Sequence, residues 1–112
     1  MGSILSDARA LADRIRRDVE GVRAVVDPVE AASNRPCVLI APPTIDYAAR
    51  TNVWPVVLLS SHPTGSLAAL GELDELLQAV APVLDVEHAA PASYALTPET
   101  GTVPAYLLRV TT

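Results

Sequence analysis

The sequence predicts an α+β fold in which two helices pack on one face of a four-stranded mixed or antiparallel sheet, in the order α-β-β-α-β-β. Three observations carry this expectation. Two segments repeat apolar residues every three or four positions, the pattern of a helix with one buried stripe. Four shorter runs rich in β-formers are bounded by Pro, Gly, Ser and Thr. The chain has 112 residues, half of them hydrophobic, which fits a single domain over 1–112 with a core of its own. Neither helix can bury its stripe alone, so the simplest packing lays both against the sheet.

The first helix follows from Ile4, Ala8, Leu11, Ile15, Val19, Val22 and Val26, spaced by three or four throughout. Charged residues fill its other faces, and Asp13 with Arg17 forms an acid-before-base pair four apart. Asp27-Pro28 is read as its stop. Five of the eight arginines lie on this stretch, a solvated face rather than a phosphate site. Residues 27–35 form a connector. Pro36 to Ala41 reads as a short buried strand, cut off by Pro42-Pro43. Residues 42–51 are expected as a loop or a loosely paired extension. The run from Asn52 to Ser60 is the second strand, and Pro55 inside it points to an edge position or a bulge.

Ser61 to Gly65 is a turn cluster, and Ser66 is a plausible N-cap for the second helix. That helix runs to about Val80, with Leu67, Leu70, Leu73, Leu77 and Val80 on one face and Glu72, Asp74, Glu75 and Gln78 outward. The remainder is expected to be extended, with Val83 to His88 as a short strand and Ala92 to Leu96 as a better one, then Val103 to Val110 as the last strand. Thr97 to Gly101 is turn chemistry of hairpin length.

The inventory of reactive groups predicts a non-enzyme with no cofactor and no metal. His62 follows Ser60-Ser61, but adjacent residues on a strand end point to different faces. Asp85 and Glu87 are expected on one strand face and His88 on the other, short of the three or four converging ligands a metal needs. The five glycines are scattered, so no phosphate loop is present. Cys37, the sole cysteine, sits in an apolar run and reads as a buried small hydrophobe. The net charge of −5 argues against phosphate-tracking nucleic-acid binding. Asp7, Arg9 and Asp13 interrupt any apolar leader, and no stretch is long enough to span a membrane.

Taken in succession, the opening helix, Arg35 to Pro43, Val53 to Leu59, the helix Leu70 to Val80, and Val103 to Val110 resemble the tail terminators (minor tail, U-type) of long-tailed siphophages, especially those of high-GC actinobacteria. The resemblance spans nearly the whole chain and rests on the order of elements, without a diagnostic motif. It implies a structural virion protein at the head-proximal end of the tail, assembled in the host cytoplasm. Its implied partners are copies of itself in a hexameric ring, the tail tube protein and the head–tail connector protein. Genome DNA passes through such a ring without specific binding, and an acidic lumen agrees with the charge. No membrane is involved, and the family carries no catalytic residues to transfer. Asp46, Tyr47 and Arg50, between the first two strands, are the expected contacts to a neighbouring subunit or the tube, because aromatic and Arg side chains favour interfaces. Another head–tail joining or minor tail component shares the layout, as does a small-ligand regulatory module.

Overall fold

The computed structural model describes residues 3–112. Its class is mixed α+β, with three α-helices and a six-stranded mixed sheet in place of the expected two and four. The helices are α1 (Ile4–Asp18), α2 (Pro28–Ser33) and α3 (Leu67–Val80). The strands are β1 (Ala24–Val25), β2 (Cys37–Ile40), β3 (Thr44–Asp46), β4 (Thr51–Leu59), β5 (Val86–Thr97) and β6 (Gly101–Thr111). Their order across the sheet is β1-β2-β4-β6-β5, with β3 paired to the start of β4.

The first helix is shorter than its apolar spacing predicted. Ser3 caps it by accepting from the Ser6 N–H, and it ends at Asp18, with Arg16 and Arg17 in its last turn. Gly21 then adopts φ 78°, and the chain continues extended into β1, which pairs in parallel with β2. Val19 and Ala24 still join the same core cluster, with Val22 and Val26 against it, so the stripe continues without the helix. Arg16, rather than Arg17, pairs with Asp13. Asp27-Pro28 starts a helix instead of stopping one. The Asp27 carboxylate accepts from the Val29 N–H, and Pro28 opens α2, where a missing N–H costs nothing.

The strand β4 lies in the middle of the sheet, so Pro55 is not on an edge. It is tolerated because its partner changes there. Ile40 of β2 opposes Val56 and Thr44 of β3 opposes Val53, leaving three residues, Ala41-Pro42-Pro43, against two. The partner strand therefore carries the bulge. Ala41 still donates to the Pro55 carbonyl, and the ladder bond that Pro55 cannot make falls at this break. The stretch 42–51 is thus a paired extension: a β3–β4 hairpin.

Two core clusters lie on the two faces of the sheet. On one face, α1 covers β1 and β2 while α3 covers β4 and β6, enclosing Ile15, Val38, Trp54, Val56, Leu58, Leu73, Val80 and Leu108. On the other, α2 and the far end of the β5–β6 hairpin enclose Ala31, Cys37, Leu39, Val57, Leu59, Leu96 and Val103. The two late strand expectations merge into one: β5 is continuous from Val86 to Thr97. Its register against β6 shifts at Val86/His88 and at Ala95/Thr97. Such bulges bend and twist a ribbon, which lets the hairpin tip reach α2. Gly101, at φ 73°, closes the turn.

Candidate interaction surfaces

The three residues singled out in the sequence share one tight turn. The Asp46 carboxylate accepts from the Ala49 N–H at 3.0 Å, and Arg50 takes a left-handed φ of 57° before β4 begins. The turn so fixed holds the Tyr47 ring out, 83% exposed. Asp46, Tyr47 and Arg50 line a shallow concavity of about 390 Å³ together with Ile45, Thr51 and Asn52.

A second surface lies at the opposite end of β4. Of the stripe expected on α3, Leu73 and Val80 are buried and Leu77 is partly buried, whereas Leu67 is 85% and Leu70 is 56% exposed. The buried stripe is Ala69, Leu73, Leu76 and Val80. The helix is therefore rotated so that its first two turns present leucines to an open groove. The other wall is the uncovered part of the β5–β6 hairpin, including Pro91, Pro104 and Tyr106, and the volume is about 670 Å³. Sequence spacing missed this surface, because periodicity gives the direction of a stripe and not the width of the sheet beneath it.

Glu72 was expected to face outward, and it turns back instead to hold the β4–α3 connection. Its carboxylate accepts from the Ser61 N–H at 2.6 Å, from the Ser60 hydroxyl at 2.7 Å and from the Ser61 hydroxyl at 3.0 Å. His62 Nε2 stands 3.7 Å away. Burial raises the carboxyl, but the Ser61 N–H, the two serine hydroxyls and His62 outweigh it and hold Glu72 below its ordinary value. Both hydroxyls donate to the carboxylate, and Ser60 Oγ also accepts from the His62 N–H at 3.1 Å. This geometry braces a turn.

The expected face pattern of Asp85, Glu87 and His88 is broken by the bulge at Val86/His88, which leaves Glu87 without a residue opposite it. Among the described residues no group of three or more His, Cys, Asp or Glu is placed to hold a metal ion. Cys37 is fully buried, and desolvation pushes its thiol up to about 11 against the opposing pull of Arg35 and Arg23. Among the described residues no helix is long and apolar enough to cross a membrane.

Charge is unevenly distributed. Residues 1–35 hold six arginines against six acids, and residues 36–112 hold two against seven, so the whole net charge of −5 belongs to the second segment. Within it, Glu72, Asp74, Glu75, Asp85 and Glu87 follow one another with no intervening Arg. No family model matches the chain, and neither a curated protein nor a solved structure matches it.

Proposed function

We propose that this chain is a structural subunit that assembles with copies of itself into a ring, caps the head-proximal end of a phage tail tube and offers its other face to the head connector. The resemblance supplies the biological setting, including the hexameric count. The observation that supports it is uncovered apolar and strand-edge surface. Tyr47, Leu67 and Leu70 are exposed, and the twelve-residue strand β5 pairs only with β6, leaving its other edge open. Open strand edges and grouped exposed apolar side chains are surfaces that a neighbour completes. A small subunit can meet that need through one heterologous contact repeated around an axis. The excess of acid in residues 36–112 agrees in sign with a channel that lets DNA pass without adhering.

The test is the mass of the purified protein by light scattering, negative-stain imaging, and addition to polymerising tube protein. Rings with a central opening, and tubes that stop growing when they bind, are expected. A protein that stays monomeric at high concentration, and tubes that elongate unchanged in its presence, refute the reading.

A further inference from the structure

The exposed Tyr47 turn and the Leu67/Leu70 groove sit at opposite ends of one molecule. The turn immediately precedes Thr51, where β4 begins. The groove lies beside Leu58 and Leu59, where β4 ends, since its wall residue Tyr106 opposes Leu58 and Ala105 opposes Leu59. Nine strand residues separate the two by roughly 27 Å, so a chain cannot fill its own groove with its own turn. We infer that the Tyr47 turn of one copy docks in the Leu67/Leu70 groove of the next. This inference rests on the ring reading above and names the contact that would build the ring.

Shape and charge point to a second copy as the occupant. The turn presents the exposed Tyr47 ring at the rim of the concavity that it lines, and this ring is the knob of the proposed contact. The groove is an open apolar slot between a helix and a hairpin. Arg50 rides on the knob, and it is one of only two arginines in residues 36–112. Asp46, the acid on the same turn, is already engaged by the Ala49 N–H. On the groove side, exposed Asp74 lies one helical turn beyond Leu70, where it accepts from the neutral amide of Gln78 at 3.1 Å and keeps its charge, and Glu75 follows, while α3 carries no basic residue at all. Seating Tyr47 against Leu67, Leu70 and Tyr106 brings Arg50 toward Asp74. Because knob and slot are different surfaces, the contact is head-to-tail. It closes into a ring or continues as a filament according to its rotation.

The experiment compares the native chain with Tyr47→Ala and Leu70→Asp, both changes at exposed positions that leave the core untouched. Each variant alone is expected to fall to the 11.8 kDa chain mass by light scattering. Tyr47→Ala retains a working groove and Leu70→Asp a working knob, so an equimolar mixture is expected to rise above the chain mass only at high concentration, toward twice that mass and never beyond it, while each variant alone stays at the chain mass. Arg50→Asp is expected to weaken assembly at least tenfold, and Asp74→Arg added to it to restore most of the loss. If the native chain forms rings and both single variants form them equally well, the inference falls while the ring reading stands. If the native chain never exceeds the monomer mass, both fall.

Discussion

Replacing Glu72 by Gln tests the one polar arrangement that the fold builds with care. The amide keeps the shape and one acceptor oxygen, but it removes the charge and turns the second oxygen into a donor. Three donors, the Ser61 N–H and the hydroxyls of Ser60 and Ser61, converge on the carboxylate within 3.0 Å. A hydrogen bond to a charged group contributes about 1.5–3 kcal/mol and a neutral one about 0.5–1.5. Ser60 is fully buried and cannot turn to water, although Glu72 itself is part-exposed and its electrostatics are screened. The expected cost is therefore about 1–2 kcal/mol at pH 7, a fall in Tm of roughly 3–8 °C for a chain of this size. The pH dependence has a definite sign. A carboxyl held below its unfolded value of 4.5 stabilises the fold above that value, and the contribution fades as pH falls through the lower folded value. Thermal unfolding followed by circular dichroism from pH 7 downward should thus show native and Glu72→Gln proteins separated at pH 7, with the gap narrowing as pH falls below 4.5. Curves that stay parallel across this range would falsify the brace.

Three further outcomes follow from the same structure. Alkylation of Cys37 in the folded protein at pH 8 should be at least about tenfold slower than in the unfolded chain, because burial lifts its thiol from 9.0 to about 11 and also blocks access; equal rates would place the side chain at the surface. Asp27→Ala removes the cap of α2 and should cost about 1 kcal/mol in urea unfolding, whereas no change would restore the reading of 27–35 as a plain connector. Leu58→Ala, at a fully buried position between α3 and the sheet, should cost about 2–5 kcal/mol by the same measurement, and a loss under 1 kcal/mol would contradict the packing described.

What the sequence showed and what it hid divide along a physical line. Local chemistry was legible. Ser66 caps α3 by accepting from the Ala69 N–H, the Thr97–Gly101 turn closes a hairpin, and the all-apolar run at Cys37 is a strand buried on both faces. Tertiary substitutions for local structure were not. Val19, Val22 and Val26 keep helical spacing although the chain is extended there, because an extended segment packed under the same cluster can satisfy that spacing too. The true stop was written in Arg16, Arg17 and Gly21, a basic last turn followed by a left-handed glycine. Pro55 implied an edge or a bulge, and the structure has the second, carried by the partner strand where β4 changes partner from β3 to β2. Asp46, Tyr47 and Arg50 were singled out by residue type alone, and they share one exposed turn because an aromatic ring and an Arg in a short polar loop have no core to enter.

Helix α3 carries more apolar surface than its own fold consumes. One stripe, Ala69-Leu73-Leu76-Val80, is spent on β4 and β6, and a second, Leu67-Leu70, begins beside it and faces open groove. In the proposed assembly a neighbouring copy covers this second stripe. Burying a leucine fully contributes about 1.5–3 kcal/mol, so Leu67, Leu70 and the Tyr47 ring together offer several kcal/mol per contact. Bringing two proteins together costs about 4–15 kcal/mol before any contact is counted. A single head-to-tail contact of this size leaves a pair of copies barely associated. In the proposed ring, the copy that closes it gains two contacts for one such cost, which favours the closed ring over the open chains leading to it. Sedimentation across a concentration series should accordingly show monomer and closed ring with little between them. A graded population of dimers and trimers at intermediate concentration would mean that the contact is stronger than these two leucines and one ring can supply, and that another surface, with the open β5 edge first in line, makes the assembly.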